Sequence, residues 1–204
     1  KKNEVNAMEH NVSLGCVVMA AGNARRFGAN KLAAPLGGRS LILRCLEAVP
    51  AEQFERVVVV TQYPEIMRLA KEFHFAAIHN QHPEIGLSHT IHLGLTALRD
   101  CSGVMFLVSD QPLLRRESIA LLARRWRQQP DHAAALSHNG VRGNPCVFPA
   151  GLFSELMSLQ GDRGGSTILR QHEDSLVLVD APERELSDVD TEQALDLLRE
   201  TIPD

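Results

Sequence analysis

A loop with two basic side chains follows the first apolar run of the chain. The run over 16–20 leads into Ala21 and Gly22, and Arg26 and Lys31 come next. Small residues let a backbone approach a ligand closely, and their amides can line a phosphate cradle. Arginine can bind two phosphate oxygens at once, whereas lysine acts as a point charge. The loop matches neither Gly-x-Gly-x-x-Gly nor the P-loop, and a tight turn with solvated charges explains the pattern equally well.

Carboxylates that could bind a metal lie at two later points of the chain, the first of them directly after an apolar run. Asp110 comes just after the run over 104–108, and Asp188 and Asp190 lie two residues apart near the C-terminus. Mg²⁺ prefers one or two carboxylates together with phosphate oxygens and water, although Asp-Gln-Pro alone is more often a turn. In an extended segment Asp188 and Asp190 face the same way. One of them can bind the metal while the other caps a helix that begins near Thr191, and the two roles stay open.

The elements that must position these residues alternate along the chain. Strands are predicted over 16–20, 57–61, 76–79, 104–108, 133–136, 146–148 and 176–179. Helices are predicted over 41–49, 64–73, 87–99, 117–127, 152–159, 166–171 and 191–199, with a polar turn over 139–145. This alternation predicts one α/β domain with a mostly parallel sheet covered on both faces. Ligands of such sheets bind at the carboxyl ends of the strands, where the polar residues described above lie.

Charge is unevenly distributed along the 204 residues, whose formal net charge is −4. No acidic residue lies between Glu9 and Glu47, a window that contains Arg25, Arg26, Lys31, Arg39 and Arg44. A basic segment on an acidic body favours a small anion as ligand. A nucleic acid would require a basic stripe with stacking aromatics, and aromatic residues make up only 4% of the chain. We therefore expect no nucleic-acid partner.

The N-terminal segment and the cysteines indicate the compartment. Residues 1–11 are polar and lack the apolar segment of a signal peptide. We expect them to be disordered, or an addition in front of a native start at Met8, so that the domain covers 12–204. No apolar stretch approaches the roughly 20 residues of a transmembrane helix, and the four cysteines form no Cys-x-x-Cys pair. These features predict a cytoplasmic protein without a membrane partner.

Taken together, the motifs resemble those of a known superfamily. Ala-Ala-Gly-x-x-x-Arg-Phe-Gly-x-x-Lys over 20–31 resembles the loop with which nucleotidyltransferases wrap the phosphates of a nucleoside triphosphate. Ser-Asp-Gln-Pro over 109–112 resembles their Asp-x-Pro motif, whose aspartate binds magnesium. Arg-Gly-Asn-Pro over 142–145 resembles the Arg-Gly-His-Pro segment of molybdenum cofactor cytidylyltransferases, a MobA-like branch. The segments 161–164 and 188–191 resemble later motifs of that branch.

The resemblance implies a single three-layer α/β/α domain with a Rossmann-like sheet of the nucleotidyltransferase type. It also implies an Mg²⁺-dependent enzyme that transfers CMP from CTP to the terminal phosphate of molybdopterin and releases pyrophosphate. The implied catalytic residues are Arg26, Lys31 and Asp110. The implied nucleotide-binding residues are Ala20, Ala21, Gly22, Arg26, Lys31, Asn80, Gly86 and Ser88. The implied acceptor-binding residues are Arg142, Asn144 and Arg163, and the implied metal ligands are Asp110, Asp188 and Asp190.

Departures from the family pattern keep alternatives open. Asn144 stands where the family usually has histidine, and asparagine cannot titrate near neutrality. His89 or Thr90 stands where a small residue is usual. The nucleotide is indicated by Ala-Ala at 20–21: the guanylyltransferases usually have Gly-Gly there, so CTP is favoured over GTP. The alternatives are a related enzyme that uses GTP or another phosphorylated acceptor, and a non-catalytic accessory protein. Such a protein would carry the cofactor to the apoenzyme of a molybdenum hydroxylase. The same apoenzyme is a candidate partner if the chain is a cytidylyltransferase.

Overall fold

A computed structural model describes residues 12–22 and 30–202 of the chain. Its strands are β1 (Leu14–Ala20), β2 (Pro35–Leu36), β3 (Arg39–Ser40), β4 (Arg56–Thr61), β5 (Ala76–His79), β6 (Gly103–Val108), β7 (Ala134–His138), β8 (Val141–Pro149) and β9 (Val177–Asp180). Its α-helices are α1 (Leu41–Ala48), α2 (Pro64–Glu72), α3 (Leu87–Ala97), α4 (Arg116–Arg127), α5 (Phe153–Met157), α6 (Ser166–Gln171) and α7 (Glu192–Thr201). Residues 1–11 lie outside this description, so their assignment stays a prediction.

Seven strands form the central sheet in the order β5-β4-β1-β6-β8-β7-β9. All pairs are parallel except those of β8, which runs antiparallel to both β6 and β7. Phe106 of β6 pairs with Cys146 of β8, so the first residues of β8 lie at the edge where β6 ends. This one reversed strand therefore adds the 142–144 segment to the carboxyl edge of the sheet.

Helices cover both faces of the sheet because the side chains of each strand alternate between the faces. In β1, Cys16 and Val18 point into a core that includes Leu46 of α1 and Trp126 of α4. Val17 points into the opposite core, which includes side chains of α3, α5 and α6. The three-layer α/β/α domain predicted from the sequence is confirmed.

Local sequence signals set the starts of several helices. The Ser40 hydroxyl accepts a hydrogen bond from the Leu43 amide and caps α1, and Pro64 lies in the first turn of α2. The Thr191 hydroxyl caps α7 by accepting from the Ala194 amide at 3.1 Å. The suggestion that Asp188 or Asp190 caps this helix is therefore wrong, because the threonine already supplies the oxygen.

The polar turn predicted over 139–145 is shorter in the structure. Asn139 and Gly140, both with positive φ, make the turn, and β8 already begins at Val141. The polar residues Arg142 and Asn144 belong to this strand, which sequence periodicity alone assigned to 146–148. Within the described part of the chain, no helix is long and apolar enough to cross a membrane.

Candidate active site

A polar cleft of about 430 Å³ lies at the carboxyl edge of the sheet. It opens there because β1 and β6 end side by side and their connecting loops diverge around it. Its wall includes Lys31 and Asp110, and Gly86 and Asp162 close it from the far side. The full lining is Met19, Ala21, Gly22, Asn30, Lys31, Leu32, Pro83, Glu84, Gly86, Leu87, Thr90, Val108, Ser109, Asp110 and Asp162.

Through its ammonium group, Lys31 joins its own segment to two others, the loop after β6 and residues 189–190. Its Nζ donates to Asp110 Oδ2 at 2.9 Å, to the Val189 carbonyl at 2.9 Å and to Asp190 Oδ1 at 3.4 Å. The side chains of Lys31 and Asp110 are only 16% and 24% exposed, so their pairing is partly shielded from water. Asn30 fixes the backbone here, because its Oδ1 accepts from the Leu32 amide and caps a short 3-10 turn.

Asp188 and Asp190 flank Val189, which is buried against α7 and the β2–β3 hairpin. The Val189 amide donates to the Asp110 carbonyl at 2.8 Å and thereby joins this segment to the loop after β6. Asp188 Oδ1 accepts from Gln111 Nε2 at 2.8 Å. Partial burial raises the pKa of the Asp188 carboxyl, and the negative charge of Asp110 raises it further.

The carboxylates meet in pairs rather than as one cluster. Within residues 12–22 and 30–202, no group of three or more His, Cys, Asp or Glu side chains is arranged to hold a metal ion by itself. Asp110 and Asp190 already surround one positive charge, the Lys31 ammonium. Their oxygens fit a hard divalent cation that takes one or two carboxylates and completes its shell with phosphate oxygens and water. The predicted ligand Asp188 lies next to this pair, bound to Gln111.

The first loop contributes small residues to the cleft where β1 ends. Ala21 and Gly22 line it, and their carbonyls accept from Gln62 Nε2 and the Tyr63 hydroxyl. Ala20 is buried inside the sheet and does not line the cleft. The predicted catalytic residue Arg26 lies outside the described residues, so its position stays a prediction.

Gly86 forms the contact between the start of α3 and the loop at 161–162. Its φ of +103° suits glycine, and a Cβ atom would lie 2.6 Å from the carbonyl carbon of Gly161 and from Asp162 Oδ1. The Ser88 amide donates to the Gly161 carbonyl at 3.0 Å and joins the same two segments. These contacts explain why glycine is needed at the cleft wall.

Asn80 and Ser88 are buried and do not line the cleft. The Asn80 side chain donates to Thr90 Oγ1 at 3.2 Å and accepts from the His82 amide at 2.9 Å. Thr90 does line the cleft. The structure thus places Asn80 behind the wall, where it supports a residue that reaches the cavity.

An apolar pocket of about 330 Å³ adjoins the polar cleft. The two cavities share Met19, Leu87 and Val108. Arg142 and Asn144 of β8 line the apolar pocket, because β8 runs antiparallel to β6. The other lining residues are Ile91, Phe106, Gly143, Cys146, Phe148, Leu156, Gly164, Gly165, Ser166 and Leu169.

The structure separates Arg163 from the other predicted acceptor residues. Arg163 is exposed on the loop between α5 and α6 and lines neither cavity. Its neighbours on either side do, Asp162 in the polar cleft and Gly164 in the apolar pocket. Sequence reasoning also passed over Gln111 and Asp162. Gln111 lies inside the 109–112 motif and Asp162 inside the 161–164 motif. A polar residue within such a motif is the sequence signal that could have identified them as site residues.

The chain is similar in sequence to a known protein family and to a curated protein. A family model described as the MobA-like NTP transferase domain matches residues 16–176. Among curated proteins, the purine catabolism protein PucB of Bacillus subtilis (strain 168) is 28% identical over 197 residues, which cover 90% of this chain and 94% of PucB. The similarity thus extends over nearly the whole of both proteins.

Solved structures show the same fold at lower sequence identity. A nucleotidyl transferase from Methanothermobacter thermautotroptrophicus has a TM-score of 0.78 at 19% identity, covering 93% of this chain and 97% of that one. The molybdopterin-guanine dinucleotide biosynthesis protein A from Archaeoglobus fulgidus has a TM-score of 0.68 at 20% identity, covering 92% and 97%. At these identities the likeness shows the fold.

Proposed function

Since the chain belongs to the family of MobA-like NTP transferase domains, we propose that it transfers CMP from CTP to the terminal phosphate of molybdopterin. Family membership makes the chain a nucleotidyltransferase with small-molecule substrates, one of which is a nucleotide. One observation carries the finer proposal: the polar cleft with Lys31 and Asp110 shares a wall with the apolar pocket that carries Arg142 and Asn144. A nucleotide in the cleft and an acceptor in the pocket would meet at that wall.

The nucleotide half of the reaction is assigned to the polar cleft. Lys31, together with Arg26, would stabilise the negative charge of the triphosphate, while Asp110 with Asp188 or Asp190 would hold Mg²⁺. A divalent cation, when bound, supplies positive charge to the phosphates that separate in the reaction. In the structure Asp110 and Asp190 balance the charge of Lys31. If these two carboxylates held a divalent cation, Lys31 would be free to stabilise the charge of the phosphates.

The acceptor half is assigned to the apolar pocket. Its walls are mainly side chains such as Ile91, Phe106 and Leu169, which suit the body of a fused ring. Arg142 offers a guanidinium for a phosphate, and Asn144 offers an amide that can both donate and accept. A pterin could place the flat faces of its rings on these walls and turn its polar edge toward Asn144, whereas sugar phosphates, methylerythritol phosphate and phospholactate carry hydroxyl or carboxyl groups that apolar walls would leave unpaired. The lining therefore favours a pterin over these acceptors.

The chemistry requires no general base. A phosphate monoester has a second pKa of about 6, so at pH 7 the acceptor phosphate is mostly a dianion. One of its oxygens attacks the α-phosphorus of CTP, the bond from the α-phosphorus to the bridging oxygen breaks, and pyrophosphate leaves with that electron pair. No proton has to be removed from the nucleophile. Catalysis then consists of positioning and charge stabilisation by residues such as Lys31.

CTP is proposed as the nucleotide on the basis of the first loop. Ala21 lines the polar cleft, and its methyl group occupies space that the glycine usual in the guanylyltransferases would leave open. A pyrimidine needs less room than a purine, so the smaller base is favoured. The dinucleotide product would then be delivered to the apoenzyme of a molybdenum hydroxylase.

The test is pyrophosphate release from CTP or GTP in Mg²⁺, with and without molybdopterin. We expect release only when CTP and molybdopterin are both present. Faster release from GTP would overturn the choice of nucleotide, and release with a sugar phosphate would overturn the choice of acceptor. Tight molybdopterin binding without any pyrophosphate would instead identify a non-catalytic carrier. The measurement therefore separates the proposed reaction from each of its alternatives.

A further inference from the structure

The turn between β5 and α3 brings Glu84 to the wall of the polar cleft. This 3-10 turn spans Pro83–Ile85, and Pro83, Glu84 and Leu87 all line the cleft. The Glu84 side chain is 65% exposed, so its carboxylate can reach a molecule bound there. Pro83 and Leu87 are apolar, and a flat base can lie against such side chains. This part of the wall therefore combines apolar contacts with a charged hydrogen-bond acceptor.

A chain of hydrogen bonds holds the Glu84 side chain. The buried Asn80 accepts from the His82 amide through Oδ1 at 2.9 Å, and His82 Nδ1 lies 3.0 Å from Glu84 Oε1. A hydrogen bond from its own backbone amide and the one from His82 hold the pKa of Glu84 below its usual range. The carboxylate is therefore ionised at neutral pH and only accepts, so His82 Nδ1 is the donor. Its oxygens can still accept a further hydrogen bond from a ligand.

The charges of the cleft wall determine which part of a nucleotide suits each side. Lys31 supplies an ammonium beside Asp110, whereas the 83–87 segment contains Glu84 and no basic residue. The negative phosphates of a nucleotide are attracted by the ammonium and repelled by the Glu84 carboxylate. The 83–87 segment therefore suits the uncharged base better than the phosphates.

We propose that Glu84 selects the base of the nucleotide by accepting a hydrogen bond from its exocyclic amino group. Cytosine has such a donor at N4, where uracil has a carbonyl oxygen that cannot donate. The two bases are of equal size, so the space beside Ala21 does not distinguish them, and a carboxylate does. The inference rests on the proposed function, because it takes the polar cleft as the nucleotide site.

The test is calorimetric titration of the full chain with CTP and with UTP in Mg²⁺. The wild type should bind CTP about tenfold more tightly than UTP, a difference typical of one hydrogen bond to a charged group. Glu84→Gln keeps the shape of the side chain. Because His82 would retain the amide oxygen, the NH₂ group would face the base and favour the uracil carbonyl. The ratio of the UTP Kd to the CTP Kd should therefore fall to about one or below.

Asp162→Asn is the matched control, because it removes a negative charge from the same cleft and leaves Glu84 in place. It should change both Kd values by the same factor and preserve their ratio. A purely structural role of Glu84 predicts a lower thermal midpoint and equal losses for both nucleotides. Equal binding of CTP and UTP by the wild type would overturn the inference. An unchanged ratio in Glu84→Gln, or an equal fall of the ratio in Asp162→Asn, would overturn it too.

The proposed function fails on different outcomes. Guanine also has an exocyclic amino group, so tighter binding of GTP than of CTP would overturn the choice of nucleotide and not the role of Glu84. Absence of pyrophosphate release with molybdopterin would overturn the reaction and leave the two Kd values as they are. If the reaction takes place, Glu84→Gln should raise the KM for CTP and leave kcat unchanged, because the amino group is remote from the reacting phosphates.

Discussion

The polar cleft and the apolar pocket lie side by side at one edge of the sheet, yet ion pairs hold the side chains of the cleft and apolar packing holds those of the pocket. In the cleft, the Lys31 ammonium is bound by Asp110 and Asp190. In the pocket, Phe106 and Phe148 pack edge to face with ring centroids 5.8 Å apart. Charged groups in the cleft must exchange partners to bind a ligand, whereas the apolar side chains of the pocket are already packed and can bind one without breaking an ion pair.

This difference divides the proposed reaction between the two cavities. Substitutions in the cleft should change the rate of the chemical step, because its charges act on the separating phosphates. Substitutions in the pocket should change the affinity for the acceptor, because apolar walls contribute mainly through burial. If the two regions are separable in this way, substitutions in each should have distinct kinetic effects, and the largest should occur in the cleft.

Asp110→Asn should lower the rate of pyrophosphate release by about 100-fold or more and leave the fold intact. The substitution removes a negative charge from the proposed cation site, and electrostatic groups of this kind contribute about that much to catalysis. Steady-state kinetics in Mg²⁺ measures the effect, and circular dichroism checks the fold. Asp196→Asn is the matched control, since Asp196 pairs with Arg199 on the exposed side of α7. Near-normal turnover in Asp110→Asn would remove Asp110 from the metal site.

Lys31→Ala should weaken CTP binding and slow turnover together, with a combined loss in kcat/KM of about 10- to 100-fold. Hydrogen bonds to charged groups contribute about 1.5–3 kcal/mol, which corresponds to that range. The control is Lys71→Ala, which removes an exposed lysine from α2. Kinetics indistinguishable from those of the wild type would mean that Lys31 only links Asp110 to the 189–190 segment.

Arg142→Ala should raise the KM for molybdopterin about tenfold and leave the KM for CTP unchanged. Arg142 lines the apolar pocket and not the polar cleft, so loss of its guanidinium should remove a phosphate contact on the acceptor side only. Varying each substrate at a saturating level of the other gives the two constants. Arg124→Ala, on the exposed face of α4, is the control. A parallel rise in both constants would show that the two cavities act as one.

The buried cysteines should react very slowly with thiol reagents at pH 8 in the native protein. Burial raises the pKa of Cys45, near Asp110, and of Cys146, in the apolar pocket, to about 12 each. Because the thiolate is the reactive form, labelling should become rapid only well above pH 8 or after denaturation in guanidinium. Mass spectrometry identifies the labelled residue. Rapid native labelling of Cys146 alone would show that water enters the apolar pocket freely.

Much of the fold was available from the sequence because hydrophobic periodicity is a local property. The parallel strands were predicted within one or two residues, and so were the helix capped by Ser40 and the helix that begins at Pro64, where capping and proline geometry act locally. Part of the site was available too, since Lys31 and Asp110 follow strands that end at the same edge. Their direct ion pair at 2.9 Å joins residues 79 positions apart, and no local pattern encodes such a distance.

The sequence by itself determined the α/β class, the polar loops that follow the strands and the family resemblance. Only the tertiary structure decided that β8 is reversed, which places Arg142 and Asn144 beside the end of β6. It alone decided that Asp190 pairs with Lys31 while Asp188 pairs with Gln111. The physical reason is that strand direction and partner choice depend on contacts between distant segments, whereas helix caps and strand alternation depend on neighbours in the chain.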